Sequence, residues 1–273
     1  MIQRTKKKTH KELEALAARA RRHIVAMHYD SQTGESGSAL CIADLLVTLY
    51  FNILDIDPKR PEHPERDRFI LSKGHGAAAL YAAMALRGYF PESDLKRYRV
   101  DGGKFHCHPC RDAAAGIEVS TGSLGHGLSI ALGMAKSMRM ECSSKKVFIL
   151  VGDGECNEGS IWEAALFAST HKLSNAIVIL DNNKFQGFGA SKEVLTMNLA
   201  RKWSAFGWNV LRIDGHSIPE IERSLREAKD ETTRPTIVIA DTIAGKGVPH
   251  IENTLGAHYY IPDEATYLAS LNA

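Results

Sequence analysis

Two polar clusters in the middle of the chain are spaced for metal-assisted binding of an anion. Gly152-Asp153-Gly154 follows the apolar run Val147 to Val151, and Asp181-Asn182-Asn183 follows a second run, Ala176 to Leu180. Between them, Glu158 to Thr170 carries Ile161, Ala164, Ala165 and Ala168 at helical spacing. Short unbroken apolar runs suit strands covered on both faces. The stretch from Val147 to Gly189 therefore reads as a βαβ unit. In an open parallel sheet, ligands gather beyond the carboxyl ends of the strands. Asp153 and Asn183, thirty residues apart, can thus meet at one site. A carboxylate and an amide oxygen form a hard, incomplete donor set, which Mg²⁺ completes with phosphate oxygens. Flanking glycines give a bulky anion access to the backbone. The amino-terminal end of the helix near Glu158 favours negative charge. A diphosphate bridged to the protein by Mg²⁺ satisfies all of these features.

A dinucleotide fold is the rival reading. Gly152-Asp153-Gly154 begins like GxGxxG, and Asp181 ends the next strand like a ribose-binding acid. The third glycine position holds Asn157, however, and Asp153 would face an unneutralised pyrophosphate.

The span from Gly-Asp-Gly to Asn is similar to the thiamine diphosphate fingerprint. GDGECNEGSIWEAALFA resembles its transketolase version. The resemblance implies that thiamine diphosphate is the cofactor, with Mg²⁺ (or Ca²⁺ or Mn²⁺ in its place). It assigns the metal to the side chains of Asp153 and Asn183 and the backbone carbonyl of Phe185. Gly154 and Glu158 fall in the same motif and join the cofactor-binding set. LSKGHGAAALYA resembles the family's LSxGHAxxxLY, which places His75 against the diphosphate or the reacting carbons; a lone histidine there is otherwise more often structural. His108, in His-Pro, matches a substrate-contacting histidine, with Cys107 in place of the usual glycine. STGSLGHGLSIALGMA resembles the segment whose backbone at Gly122, Ser123 and Leu124 holds the aminopyrimidine ring. His126 stands where members vary between Gln and His and receives no firm role. GKGV, Glu252-Asn253 and His258 resemble a segment whose histidine touches the diphosphate. Ser38 matches a serine near the cofactor; a plain helix N-cap explains it equally well. The resemblance gives His75, His108 and His258 the catalytic work of orienting hydroxyls and moving protons, for which imidazole suits.

Two positions depart from the family pattern. Glu35 replaces a histidine that contacts substrate hydroxyls, which would put negative charge near a ligand. Ala244 replaces a cofactor-contacting lysine of some members, leaving Lys246 either to compensate or to stand exposed.

The elements that must position these groups alternate between strand and helix. The chain has 273 residues, 44% of them apolar, a net charge of +2 and five cysteines. That length and alternation predict an α/β class with a mostly parallel central sheet and helices on both faces. Residues 1–10 read as a basic, flexible tail and 11–273 as one diphosphate-binding domain. Lys11 to His28 has a helical stripe of Leu13, Leu16, Ala17, Ala20, Ile24 and Met27. Ser31 to Leu40 reads as a small-residue loop, Ala43 to Phe51 as a helix, and Asp55 to Arg68 as a surface connection. Short strands are predicted before Ser72, at Trp208 to Ile213 and at Thr236 to Asp241. Helices are predicted at Ala77 to Leu86, Arg201 to Phe206 and Ser217 to Lys229, the last with Ser217 and Glu220 at capping-box spacing. No apolar run approaches the roughly eighteen residues of a membrane span. The small net charge gives no sign of a nucleic-acid partner. An odd number of cysteines in a chain of this size favours a reducing, cytoplasmic compartment. Cys107-His108-Pro109-Cys110 lacks a second pair at zinc-finger spacing.

The resemblance runs from about residue 11 to 270 but covers only the diphosphate-binding half of a transketolase. The family's activating glutamate lies on a separate pyrimidine-binding domain. The chain is therefore expected to be the N-terminal subunit of a split transketolase. It would move a two-carbon ketol unit from a ketose (phosphate) to an aldehyde with a C-terminal partner chain, as an α2β2 heterotetramer. Two other readings remain open: a subunit of a decarboxylating 2-oxo-acid enzyme that delivers an acyl or ketol unit to a carrier, and a non-catalytic paralogue that binds thiamine diphosphate.

Overall fold

Parallel strands need crossover connections of a dozen residues or more, usually helical. The alternation in this sequence supplies them. The protein is described here by a computed structural model covering residues 7–195 and 198–271. Its strands are β1 (Arg68–Leu71), β2 (Val147–Gly152), β3 (Ala176–Asn182), β4 (Phe185–Gln186), β5 (Gly189–Ala190), β6 (Asn209–Asp214) and β7 (Thr236–Asp241). Five form one sheet in the order β1-β2-β3-β7-β6, and every pair is parallel. β4 and β5 form a small antiparallel hairpin just past β3. The helices are α1 (His10–Ser31), α2 (Ser36–Leu40), α3 (Ala43–Thr48), α4 (Ala77–Arg87), α5 (His126–Met140), α6 (Gly159–Thr170), α7 (Ser191–Val194), α8 (Leu199–Ala205), α9 (Ile218–Asp230) and α10 (Glu264–Leu271).

The buried strands feed two cores by simple alternation. Phe148 and Leu150 of β2, with Ile177 and Ile179 of β3, join residues of α1, α3, α4 and α9. Val147, Ile149 and Val151, with Val178 and Leu180, join α5, α6 and Trp203 of α8. The predicted stripes are the buried ones: Ile161, Ala164, Ala165 and Ala168 on α6, and Leu13, Ala17, Ala20, Ile24 and Met27 on α1.

Several local expectations need correction. Residues 1–6 of the predicted tail lie outside the described residues. Lys8 is not free, because its backbone N–H and C=O both pair with the Asn52 amide at 2.9 Å. Thr9 and Glu12 then close a capping box on α1. The predicted loop 31–40 contains the short helix α2, so Ser38 lies inside a helix and is not its N-cap. The helix predicted to Phe51 changes at Leu49 into a π turn ending at Ile53. The surface connection is anchored at its end, where Arg66 and Asp67 are buried. Ser217 precedes α9 without a side-chain cap bond. Glu220 instead accepts the Asp214 N–H at 3.0 Å and ties the helix to β6.

His28 closes the turn that leads from α1 toward the site. Its Nδ1 pairs with Thr33 O at 2.9 Å, while its buried Nε2 has no partner. Burial disfavours the charged ring and lowers its pKa from 6.5 to about 4. The unfolded chain binds the proton more readily between those values, so stability should fall as pH drops from about 6.5 to about 4. The full loss corresponds to about 3 kcal/mol. Urea denaturation of wild type and His28→Gln at pH 7 and pH 4.5 should show the larger acid loss in wild type.

Candidate active site

Because all five strands run the same way, their carboxyl ends share one edge of the sheet. β1 leads to Ser72-Lys73-Gly74-His75, β2 to Asp153, β3 to Asn183 and β7 to Thr242. There they meet a cavity of about 390 Å³. Asp153, Asn183, Phe185, His75, His108 and His258 all line it. So do Ser38, Glu35, Gly122, Leu124, Gly154 and Glu158. These residues reach one cavity from separate segments of the chain. Ser123 is the exception: it is exposed and is not part of the cavity wall. His126 is exposed too and pairs with Leu124 O.

The floor is a buried polar network centred on Asp181. Lys73 Nζ donates to Asp181 Oδ2 at 2.6 Å and to Ser38 O at 3.1 Å. Cys41 Sγ donates to the same carboxylate oxygen at 3.2 Å, and Asn183 Nδ2 at 3.0 Å. Thr242 Oγ1 donates to the other oxygen, Oδ1. Lys73 and Asp181 are both essentially inaccessible. Burial acts against the Lys73 charge, yet Asp181 outweighs it and raises the lysine above its ordinary value. Burial likewise pushes the Cys41 thiol up and keeps it a donor.

This network fixes the amide of Asn183. Its nitrogen is committed to Asp181, so its oxygen faces the other way, where it accepts the Phe185 N–H at 3.0 Å. Asp153 Oδ2 accepts from Ser191 Oγ at 2.7 Å and Lys184 N–H at 3.1 Å. Burial raises the Asp153 carboxyl from 3.8 to about 6. A buried carboxylate with raised pKa gains from a nearby cation. Among the described residues no three His, Cys, Asp or Glu side chains converge as a metal site. The side-chain oxygens of Asp153 and Asn183 would leave a cation here to draw its remaining donors from elsewhere, as Mg²⁺ does on a diphosphate. The donor set fits that group.

A second carboxylate braces the rim. Glu155 accepts from Ser72 Oγ at 2.6 Å, Gly125 N–H at 2.8 Å and Gly152 N–H at 3.1 Å. It ties the ends of β1 and β2 to the loop entering α5. Burial raises its pKa despite those three donors.

The roof carries the imidazoles. The His75 and His258 rings lie 5.7 Å apart. Burial lowers the His75 pKa well below its usual value, and Lys73, His258 and His108 add to the effect. Burial, then Lys73, lowers His258 as well. Both are therefore neutral near pH 7 and can donate or accept. The segment bearing His258 is clamped to α2. Gly37 packs so closely on it that an added Cβ would lie 2.3 Å from Ala257 O, and Ser36 Oγ donates to Tyr260 O at 2.7 Å. Glu35 precedes α2 in the left-handed region (φ 73°). Burial raises its pKa, and His108, Arg99 and Lys73 oppose the shift. Ala244, at the position expected to hold a lysine, is buried, and Lys246 pairs with Glu252 at 3.9 Å. The basic group at the cavity is Lys73.

Sequence reasoning missed Lys73, Asp181 and Glu155. Asp181 stood in plain view at the end of an apolar strand, where a buried acid demands a cation or several donors. Lys73 carried the matching signal: a lone lysine among small residues directly after β1.

The fold and the cavity define a class: a parallel α/β domain with a polar cavity at the carboxyl edge of its sheet. The protein-family model for the transketolase thiamine diphosphate binding domain matches residues 14–263. The 6-deoxy-6-sulfo-D-fructose transketolase subunit of Clostridium sp. (strain MSTE9) is 43% identical over 226 residues, 82% of each chain. An apulose-4-phosphate transketolase subunit from Actinobacillus succinogenes is 42% identical over 253 residues, covering 92% of this chain and 91% of that one. Among solved structures, the Campylobacter jejuni transketolase superposes with a TM-score of 0.90 at 31% identity, over 97% of this chain but 43% of that one. The chain belongs to the transketolase family, as its thiamine diphosphate binding domain. It spans less than half the length of the solved transketolase and most of the length of the separate subunits.

Removing one partner of a buried ion pair typically costs about 3–5 kcal/mol. Asp181→Asn should destabilise the chain by that order in urea denaturation. Lys73→Met combined with Asp181→Asn should recover much of the loss, because no buried charge is then left unpaired.

Proposed function

We propose that this chain is the N-terminal, diphosphate-binding subunit of a two-chain transketolase. Residues 11–273 would form its single functional domain, and it would transfer a two-carbon ketol unit from a ketose or ketose phosphate to an aldehyde. The observation that carries the reading is the convergence of Asp153, Asn183 and Phe185 with His75, His108 and His258 on one cavity. When bound, thiamine diphosphate supplies the nucleophilic carbon and the electron sink for carbon–carbon cleavage. The chain's own residues do the rest. Asp153, Asn183 and the Phe185 carbonyl would hold Mg²⁺, with Gly154 in the same cavity wall. His75 and His258, neutral near pH 7, orient oxygens and move protons at the reacting end. His108 and Glu35 face the substrate.

The partner is inferred from what the cavity borders. Phe188 lines it yet is 91% exposed. Leu195, Leu255 and Tyr259, on nearby segments, are also exposed. Apolar groups at the mouth of a cavity suit a protein surface that closes it. In this reading a pyrimidine-binding chain seats there and contributes the activating glutamate, in an α2β2 assembly. The names of the separate-subunit relatives support a two-chain enzyme. The five free cysteines support a reducing, cytoplasmic setting, and among the described residues no helix is long and apolar enough to cross a membrane.

The test is reconstitution with the C-terminal chain, followed by assay of ketose donors with an aldehyde acceptor. Ketol transfer should require both chains; full activity from this chain alone would overturn the proposal. In the complex, Asp153→Ala should weaken Mg²⁺-dependent binding of thiamine diphosphate by at least about tenfold in calorimetry. Glu35→His can occupy the left-handed backbone, where histidine is well tolerated. If Glu35 sets donor choice, that variant should shift the ranking of ketose donors in the same assay.

A further inference from the structure

His108 is half-buried in the cavity wall, with contacts to its backbone and to its ring. Tyr81 Oη donates to its carbonyl at 3.1 Å. Side-chain carbons added at Gly74 or Gly122 would come within 3.1 Å and 3.3 Å of its Cδ2. The absence of a side chain at those two glycines leaves room for the ring. The polar contact to the ring comes from Cys107, whose Sγ lies 3.2 Å from Nδ1. The transketolase pattern that the chain resembles has glycine at this position. The Cys107 backbone lies outside the left-handed region, so its Cβ is carried without strain.

The chemistry of that contact decides which ring nitrogen bears hydrogen. A thiol sulfur is a weak acceptor, whereas a neutral imidazole nitrogen accepts well. An S–H that donates to Nδ1 leaves the ring proton on Nε2. If the proton crossed to give an imidazolium beside a thiolate, Nε2 would still carry hydrogen. A glycine offers no such donor and leaves both tautomers open.

We propose that Cys107 is a positioning residue that locks His108 as its Nε2–H tautomer, so that this wall of the cavity presents a fixed hydrogen-bond donor to the oxygen atoms of the ketose. The role rests on the ketol-transfer reading of the site, but the tautomer itself does not. A carbonyl or hydroxyl oxygen approaching His108 then meets a donor without waiting for the ring to exchange its proton. Glu35, which lines the same cavity, supplies acceptor oxygens to the same substrate.

The experiment has two arms. In the first, the full chain is labelled with ¹⁵N-histidine, and the His108 ring signals are assigned by their loss in His108→Asn. Wild type should show the Nε2–H pattern, and Cys107→Ala should show a mixture of tautomers. In the second, each variant is reconstituted with the C-terminal chain and assayed for ketol transfer. Losing one neutral hydrogen bond should lower kcat/KM of Cys107→Ala by about fivefold. Cys107→Gly, which installs the family residue, should behave like the alanine variant and serves if alanine packs badly. An unchanged Nε2–H pattern in both the alanine and glycine variants would overturn the proposal. So would alanine and glycine variants that keep the kcat/KM of wild type. A wild-type complex without ketol transfer would contradict the functional reading instead, and the ring signals alone would then decide this inference.

Discussion

The site depends on one buried carboxylate. Asp181 sits at the end of the central strand β3, inaccessible to water, and accepts hydrogen bonds from four side chains drawn from four segments. Each of those segments reaches the cavity for a different purpose. Lys73 brings the β1 loop that carries His75. Cys41 follows α2, which clamps the His258 segment. Thr242 opens the loop after β7. Asn183 turns its amide oxygen away from Asp181, toward the Phe185 N–H. A carboxylate in such a place is costly unless it is paired and saturated, so the same interaction that makes Asp181 tolerable also sets the relative positions of the ligand-binding loops. Glu155 repeats the device on the other side of β2, joining β1, β2 and α5 through three hydrogen bonds.

These anchors lie beneath the cavity, while its mouth is built differently. Phe188, on the β4–β5 hairpin, stands almost wholly in solvent. The floor is complete in itself, whereas the roof is finished only with a second chain in the reading proposed above. That division accords with separate transketolase subunits of nearly this length and with solved transketolases more than twice as long.

Much of this was legible in the sequence because parallel sheets simplify the problem. Buried strands such as Val147 to Val151 declare themselves as unbroken apolar runs, and whatever follows each run must arrive at the same edge. Asp153 and Asn183 could therefore be placed together without knowledge of strand order, whereas His75 and His258 were placed by the family resemblance. What stayed hidden was pairing. Nothing in the spacing of Lys73 and Asp181, 108 residues apart, says that they touch; only the adjacency of β1, β2 and β3 brings them together. Local geometry was also concealed. The short helix α2 is dictated by close packing of Gly37 against Ala257, a contact across the whole chain. Glu220 has capping-box spacing but bonds to the β6 end instead, because tertiary contact offered a different donor. Cys107, which differs from the family glycine, raised a question about the backbone that its ordinary φ answers.

The central claim is that this chain builds the anionic half of a thiamine diphosphate site and leaves activation of the cofactor to another polypeptide. The most direct test is hydrogen–deuterium exchange at C2 of Mg²⁺-thiamine diphosphate, followed by proton NMR with this chain alone and with its C-terminal partner. The account predicts that the chain alone binds the cofactor without speeding the exchange, and that adding the partner accelerates it strongly. Acceleration by this chain alone would contradict the account.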